Sequence, residues 1–325
     1  MKRRAFLKTL GLAGAAAATA AVPGLAAPTA ANGADGKDQV LATLFDLSKC
    51  IGCGACVQAC HEANAARYPE PEKPYPPMYP SRVKVEDWSD KRDVEDRLTP
   101  YNWLFIQSAA VTYQGRTLDV HMPRRCMHCQ KPPCANLCPW GAAAKTENGS
   151  VRINTDICLG GAKCKTVCPW SIPQRQTGVG LYLDLLPSLA GNGVMYKCDR
   201  CYDRVRAGGV PACIEACPNE VQQIGPRDEI VKKAHELAAS INGFIYGETE
   251  NGGTNTIYVS PVPFELIEAA SPPGPGRPTL KPVADAMSFE SSLAAAVVVA
   301  PIAAVAGAVL RAGKRARDAE EKNNG

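Results

Sequence analysis

The sequence is poor in the residues and motifs that mark common catalytic sites. Its 325 residues include only four histidines, and they contain no G-x-S-x-G, no Walker loop and no G-x-G-x-x-G dinucleotide fingerprint. These absences argue against an α/β-hydrolase, a P-loop nucleotidase and a dinucleotide-dependent enzyme. We therefore expect a chain without a catalytic site of its own.

An excess of basic residues is also missing from the body of the chain. The net charge is +4, but residues 1–27 hold four bases, and residues 311–325 hold five bases and three acids. The residues between hold 27 bases against 29 acids. Because a nucleic-acid-binding domain carries a basic patch or stripe, this near-neutral body argues against a nucleic-acid partner.

Cysteine, in contrast, is abundant and regularly spaced. Fifteen cysteines fall into four runs with none left over, and each run ends in C-x3-C. Proline follows the last cysteine of three runs, as Pro139, Pro169 and Pro218. This is the spacing with which bacterial ferredoxins bind paired iron-sulfur clusters. The runs are Cys50-Cys53-Cys56-Cys60, Cys126-Cys129-Cys134-Cys138, Cys158-Cys164-Cys168 and Cys198-Cys201-Cys213-Cys217.

The cysteine count fits four clusters with one ligand missing. In a two-cluster ferredoxin, three closely spaced thiolates hold three corners of a cubane-shaped 4Fe-4S cluster, and the fourth cysteine of the run binds the neighbouring cluster. Fifteen thiolates complete three cubanes and leave one site a ligand short. Gly161 occupies the position of the second cysteine in the third run. We expect a 3Fe-4S cluster there, or a 4Fe-4S cluster with a non-cysteine ligand.

Three other interpretations of the cysteines are less favourable. A disulfide scaffold fits poorly with an odd count and with crowded C-x2-C pairs in a chain of this length. Structural zinc uses self-contained sets of four ligands and gives no reason for the C-x3-C-P ending. A c-type haem requires C-x-x-C-H, whereas Cys56 to His61 reads C-x3-C-H.

The N-terminus predicts export. The segment Lys2-Arg3-Arg4-Ala5-Phe6-Leu7-Lys8 precedes an apolar stretch rich in alanine, which is the pattern of a twin-arginine signal. We assign residues 1–27 to this signal and expect cleavage between Ala27 and Ala31. The route fits the chemistry, because clusters assembled in the reducing cytoplasm must cross the membrane inside a folded protein.

The C-terminus predicts a membrane anchor. Residues 293–310 carry no charge and are long enough to cross the hydrocarbon core as a helix. The bases of residues 311–325 put this tail in the cytoplasm and the body outside. Residues 271–292 are rich in Pro and Gly and predict a linker to the anchor. The alternative for residues 293–310 is a buried helix, since Pro301 interrupts this only modestly apolar segment.

Between these ends, residues 28–270 predict one ferredoxin-like body with inserted loops. The Asn148-Gly149 turn before residues 151–154 indicates a hairpin, and the alternation around Gly115 indicates a second one that packs on the body. Residues 226–240 have the apolar spacing of an amphipathic helix. The insertion at residues 170–197 is a plausible partner surface.

Two histidines adjoin cysteines. His128 lies inside the second run and His61 directly follows the first. Each is a candidate for a hydrogen bond near a cluster, with ordinary packing as the alternative. His235, on the predicted helix, is expected to be a surface or packing residue.

The four runs, with the long gap between Cys201 and Cys213, resemble the iron-sulfur subunits of the dimethyl-sulfoxide-reductase type over residues 44–224. The resemblance implies an α+β fold of two double-cluster, ferredoxin-like modules related by a pseudo-twofold axis, with inserted loops and a C-terminal transmembrane helix. The first and fourth runs then share one cluster pair, and the second and third share the other. The implied ligand sets are Cys50, Cys53, Cys56 and Cys217; Cys198, Cys201, Cys213 and Cys60; Cys126, Cys129, Cys134 and Cys168; and Cys158, Cys164 and Cys138.

The vacancy at Gly161 departs from the all-cubane members of this family. It is similar to nitrate-reductase-type subunits, in which a tryptophan replaces the same cysteine. The resemblance thus implies three 4Fe-4S clusters and one 3Fe-4S cluster, with four 4Fe-4S clusters as the alternative.

A twin-arginine signal combined with a C-terminal anchor is most similar to the electron-transfer subunits of hydrogenase-2 type. This implies electron transfer between a nickel-iron hydrogenase large subunit and an integral membrane quinone-reactive subunit, at the periplasmic face of the cytoplasmic membrane, with one helix in the lipid. The alternative is the beta subunit of a formate dehydrogenase or of another molybdopterin oxidoreductase. A hypothesis of another class is a stand-alone anchored electron carrier without a catalytic partner.

Overall fold

The computed structural model describes residues 39–79, 84–189 and 191–289. The predicted signal (residues 1–27), membrane helix (293–310) and basic tail (311–325) lie outside these residues. Among the residues that are described, no helix is both long enough and apolar enough to cross a bilayer.

The described residues form an α+β protein with ten strands and eight α-helices, most of them short. Two 3₁₀ turns, Ala65–Arg67 and Glu250–Gly252, complete the regular structure. In chain order the elements are β1 (Leu41–Asp46), α1 (Ala55–Asn64), β2 (Phe105–Tyr113), β3 (Arg116–Arg124), α2 (Pro133–Asn136), β4 (Ala143–Lys145), β5 (Val151–Ile153), α3 (Lys163–Val167), β6 (Gln174–Gln176), α4 (Tyr182–Leu185), β7 (Val194–Tyr196), α5 (Tyr202–Arg206), α6 (Ala212–Glu215), β8 (Gln222–Pro226), α7 (Arg227–Ile241), β9 (Phe244–Tyr246), β10 (Thr256–Ser260) and α8 (Phe264–Ala270).

A four-stranded sheet of order β8-β1-β10-β9 joins the two ends of the body. Strand β1 pairs in parallel with β10 and antiparallel with β8, while β9 pairs antiparallel with β10. Helix α7 packs on this sheet through Ile230 and Ala234, which cluster with Leu44 and Ile257. The predicted amphipathic helix is confirmed, and Pro226 precedes its first residue as the N-cap.

Three two-stranded antiparallel sheets complete the strands, namely β2/β3, β4/β5 and β6/β7. The turn between β2 and β3 uses Gln114 and Gly115, both with positive φ, as a tight hairpin requires. Val111 and Val120 of this hairpin are buried. Both predicted hairpins are confirmed, as is the packing of the first one on the body.

Short helices carry cysteines from all four runs and pair across the chain. Helix α1, with Cys56 and Cys60, packs on α6, with Cys213. Helix α2, with Cys134, packs on α3, with Cys164. Helices from the first and fourth runs therefore meet, as do helices from the second and third.

The predicted linker differs from a free spacer over its described part, residues 271–289. Leu280 is buried, and its backbone N–H donates to the Glu268 carboxylate at 2.7 Å. The buried Arg124 guanidinium donates to the carbonyl of Pro278 at 2.9 Å and to that of Thr279 at 3.2 Å. A proline-rich segment has few N–H groups with which to form its own secondary structure, but its carbonyls accept hydrogen bonds from side chains of the body. This segment therefore lies against the body, and we call it the strap.

Candidate metal centres

Three cavities in the body are each lined by four cysteines. In every case three cysteines come from one run and the fourth from another run. The first site has Cys50, Cys53, Cys56 and Cys217; the second has Cys198, Cys201, Cys213 and Cys60; the third has Cys126, Cys129, Cys134 and Cys168.

The remaining cysteines, Cys138, Cys158 and Cys164, form a fourth site. Burial, together with the nearby thiolates of Cys158 and Cys138, raises the pKa of Cys164 to about 12. A Cβ atom built on Gly161 would meet nothing within 4 Å, and the backbone of Gly161 lies outside the left-handed region. The backbone therefore leaves room for a side chain, or for another ligand, at the position where the third run lacks its cysteine.

The sites follow one another through the body. Burial raises the pKa of Cys56 in the first site to about 12, with a contribution from the thiolate of Cys213 in the second site. Burial also raises the pKa of Cys198 in the second site to about 12, with a contribution from the Cys126 thiolate of the third site.

The third and fourth sites are coupled in the same way. Burial raises the pKa of Cys134 in the third site to about 12, and the thiolate of Cys164 in the fourth site contributes to the rise. The order is therefore first, second, third, fourth, with the second and third as the inner sites.

The arrangement fits polynuclear clusters better than single metal ions. Within the described ranges, no three Cys, His, Asp or Glu side chains converge closely enough to hold one ion. Structural zinc would need four ligands about 2.0–2.3 Å from one centre. Here four sulfurs line each of three cavities without converging on one point, as the binding of a cluster of several metal and sulfide atoms requires.

Backbone amides support the thiolates in all four sites. The N–H of Val221 donates to Cys217 Sγ at 3.4 Å, and that of Ala143 donates to Cys138 Sγ at 3.5 Å. The N–H groups of His128 and Arg200 donate to Cys126 Sγ at 3.5 Å and Cys198 Sγ at 3.3 Å. Such bonds stabilise negative charge on sulfur, so the donor sets fit anionic iron-sulfur clusters.

His128 connects the two inner sites. It lies in the loop of the third site, and its ring is fully buried. The N–H of Val151 donates to Nδ1 at 3.0 Å, which leaves the proton of the neutral ring on Nε2, 3.8 Å from Cys198 Sγ in the second site. Burial keeps the pKa of His128 well below its usual value, so the ring stays neutral. Of the two alternatives for His128, the structure thus contains the hydrogen bond, which is made to a cysteine sulfur.

His61 and His235 do not contact a cysteine sulfur in the structure. His61 Nε2 pairs with Asn102 Oδ1 at 2.8 Å, and its ring packs edge-on against Tyr68. His235 lies at the surface beside Glu248. His61 thus has the packing role that was the alternative for it. His235 lies at the surface, as expected.

The buried cations around the inner sites were not predicted from the sequence. Arg125, Lys197 and Arg200 are all buried. Arg125 and Arg200 line the second cavity, and Lys197 lines the third. A positional signal was available, because Arg125 and Lys197 each directly precede the first cysteine of a run.

The two outer sites reach the surface. Cys53 of the first site is exposed, and Ile51, which lines the same cavity, is 62% exposed. At the fourth site, Cys138 is half-buried, Gly161 is exposed and the nearby Trp140 is 61% exposed. The row of sites thus begins and ends at solvent.

Comparison with known families agrees with this geometry. The 4Fe-4S dicluster domain family matches the chain twice, over residues 49–142 and over residues 119–227. With its fifteen cysteines, the chain is therefore a protein of two 4Fe-4S dicluster domains that binds multiple 4Fe-4S clusters.

Three relatives have named functions. The B subunit of the anaerobic dimethyl sulfoxide reductase of Escherichia coli (strain K12) is 31% identical over 194 residues, which cover 60% of this chain and 77% of that protein. Hydrogenase-2 operon protein HybA of Escherichia coli O157:H7 is 26% identical over 263 residues, 70% of this chain and 72% of that protein. The iron-sulfur subunit of the nitrate-inducible formate dehydrogenase of Escherichia coli (strain K12) is 29% identical over 226 residues, 67% of each chain.

A protein of Nitratidesulfovibrio vulgaris (strain Hildenborough) is 32% identical over 270 residues, 81% of this chain. The chain spans 65% of the length of that relative. The resemblance inferred from the four runs is confirmed by these relatives. The four thiolate sites, the two dicluster matches and the identity to the dimethyl sulfoxide reductase B subunit show that the chain belongs to the dimethyl-sulfoxide-reductase-type family of iron-sulfur electron-transfer subunits.

Proposed function

We propose that this chain conducts electrons through four iron-sulfur clusters between a catalytic subunit and a membrane subunit of a respiratory complex. The observation that carries the proposal is the row of four thiolate sites that crosses the body and reaches solvent at both ends. Iron-sulfur clusters exchange single electrons, with potentials set by ligands, hydrogen bonds and exposure. The protein's part is to hold the sites close together and to exclude water from the inner pair.

The proposed ligands follow the observed groups. The first site is held by Cys50, Cys53, Cys56 and Cys217, the second by Cys60, Cys198, Cys201 and Cys213, and the third by Cys126, Cys129, Cys134 and Cys168. Each of these three sets contains four thiolates, which suits a 4Fe-4S cluster.

The fourth site is proposed to hold a 3Fe-4S cluster on Cys138, Cys158 and Cys164. The open space beside Gly161 and its exposure support a corner without a protein thiolate. A 4Fe-4S cluster whose fourth iron binds a solvent ligand is the second candidate, because the same exposure admits water. Electron paramagnetic resonance of the oxidised protein separates the two, since only the 3Fe-4S cluster is paramagnetic in that state.

The proposed catalytic partner is a nickel-iron hydrogenase large subunit. The similarity to hydrogenase-2 operon protein HybA over 70% of the chain supports it, together with the predicted twin-arginine signal and anchor. The iron-sulfur subunit of formate dehydrogenase is also similar, so a molybdopterin subunit is the second candidate.

We also propose a location at the periplasmic face of the cytoplasmic membrane. The support is the sequence pattern of residues 1–27 and of residues 293–310. An integral membrane quinone-reactive subunit would then be the other electron partner. Electron flow in either direction is compatible with a row of reversible one-electron sites.

Anaerobic purification of the full chain from membranes tests these points. The proposed function requires iron and acid-labile sulfide for four clusters, a bound large subunit, and reduction of the clusters by hydrogen. Zinc in place of iron would overturn the cluster assignment. A loaded chain that purifies alone would instead favour a stand-alone electron carrier, and reduction by formate would favour the molybdopterin complex.

A further inference from the structure

We propose that Arg125 and Lys197 form a crossed pair of buried cations, in which each dicluster module supplies a positive charge to the inner site of the other module. Here the first module means the first and fourth runs with the first and second sites. The second module means the second and third runs with the third and fourth sites. The inference rests on the proposed function, because it concerns the potentials of the two inner clusters.

Arg125 belongs to the second module but lies at the second site, which is in the first module. It precedes Cys126 in the chain, yet its Nη1 donates to Cys213 Sγ at 3.5 Å, 88 residues away. It lines the second cavity, and its other nitrogens, Nε and Nη2, are buried with no hydrogen-bond partner in the structure. Burial opposes its charge, but the thiolates of Cys213 and Cys198 more than offset this, so the pKa of Arg125 is raised.

Lys197 has the converse arrangement. It precedes Cys198 of the second site, yet it lines the third cavity. Its Nζ donates to the carbonyls of Val151 and Cys198. It does not line the cavity of the second site, although it directly precedes a cysteine of that site.

Carboxylates contribute little to the compensation of these two cations, since the charge of Asp199 raises the pKa of Lys197 only after the thiolates of the cysteines. Over residues 39–79, 84–189 and 191–289, neither Arg125 nor Lys197 forms a salt bridge. The buried carboxylate nearest in the chain, Asp199, pairs with Arg67 at 2.9 Å. Because an uncompensated buried charge is strongly unfavourable, the anionic thiolate sites themselves must be the partners.

The crossing has two consequences. Reduction makes a thiolate-bound cluster more negative, so a nearby cation favours the reduced form and raises the potential of that site. Each inner potential therefore depends on a residue of the opposite module. Each buried cation is also fully compensated only when the inner site of the opposite module holds its cluster. Cluster assembly in one module is therefore coupled to cluster assembly in the other.

Redox titration of the anaerobic holoprotein, followed by electron paramagnetic resonance, tests the crossing. The signals of the second and third sites are assigned by their loss in Cys60→Ser and Cys134→Ser. In Lys197→Met we expect the reduced-to-oxidised ratio of the third site to fall about tenfold at fixed potential, which is ~59 mV for one electron. In Arg125→Met we expect a fall of similar size at the second site.

Arg124→Met is the matched control. Arg124 adjoins Arg125 and is equally buried, at 1% exposure, but it bonds Gln107 at 2.7 Å and the strap, and it lines none of the three cavities. We expect a less stable protein with unchanged inner potentials. The charge-retaining variants Arg125→Lys and Lys197→Arg should keep potentials near those of the parent protein.

Each outcome of the titration either supports the proposal or overturns it. Shifts at the site of the opposite module support the proposal, whereas shifts confined to the site of the variant's own run, or equal shifts in Arg124→Met, overturn it. If a neutral variant loses iron, loss of the crossed site supports the proposal, and loss of the other inner site or of all sites overturns it. An iron-free parent protein would instead refute the proposed function, so the two failures are distinguishable.

Discussion

The inner and outer sites differ in what surrounds their thiolates. Arg125, Arg200 and the His128 ring approach the second site, and Lys197 approaches the third, all of them buried. Among the described residues that line the first cavity, none is charged, and Ile51 is largely exposed. The inner sites therefore depend on charged side chains from the opposite module, while the first site is lined by uncharged residues of its own runs and of the β2/β3 hairpin. Loss of a ligand at an inner site should therefore destabilise both modules, whereas loss of a ligand at an outer site should affect mainly that site.

The largest expected difference is between losing an inner and an outer ligand. Cys198→Ala removes a thiolate from the second site and leaves Arg125 undercompensated, which should cost about 3–5 kcal/mol of stability together with that site's iron. Cys217→Ala should remove the iron of the first site with a smaller loss of stability. Anaerobic iron analysis and thermal unfolding measure both effects. Equal loss of stability would remove the distinction between inner and outer sites, and full iron retention in Cys217→Ala would contradict the exchanged ligand.

A gain of iron is expected at the other outer site. Gly161→Cys supplies the missing thiolate in open space, so about one more iron should bind per chain and the 3Fe-4S signal should disappear. Gly161→Ala fits the same space without a ligand and should keep the signal. Persistence of the signal in Gly161→Cys, with unchanged iron, would argue against the vacant corner.

A smaller effect is expected from the bond that links the inner sites. His128→Phe removes the Nε2–H donor to Cys198 Sγ. The potential of the second site should therefore fall by less than ~59 mV, the shift that corresponds to a tenfold change in the reduced-to-oxidised ratio. Because the N–H of Val151 also loses its acceptor, stability should drop by about 1–3 kcal/mol. His61→Phe, whose ring contacts no cysteine sulfur in the structure, should leave the potential unchanged. Equal shifts of the second-site potential in both variants would show that the His128 hydrogen bond does not influence that potential.

The smallest effect is expected at the surface of the first site. Ile51→Ala alters a side chain that is 62% exposed, so the free energy of unfolding should change by no more than about 0.5 kcal/mol. Iron content should stay that of the parent protein. A large loss of iron would show that this wall of the first site is as dependent on packing as the inner sites are.

Features of short range were predictable. The hairpin turns at Gly115 and Gly149 and the apolar spacing of α7 have local signals, and the structure contains all three elements. The packing of the Pro-rich strap on the body was not predicted, because composition describes how a segment behaves alone and not what lies beside it. The buried Arg124 that bonds the strap is about 155 residues away in the chain, so no local pattern reports it.

The number of available thiolates, the three that belong to one corner set and the position of the missing ligand follow from the amino-acid sequence, because those relations span only a few residues. The tertiary structure alone decided the order of the sites, the parallel pairing of β1 with β10, and the crossing of Arg125 and Lys197. These depend on contacts between residues distant in the chain. Burial then turns such contacts into strong charge interactions, because water no longer screens them.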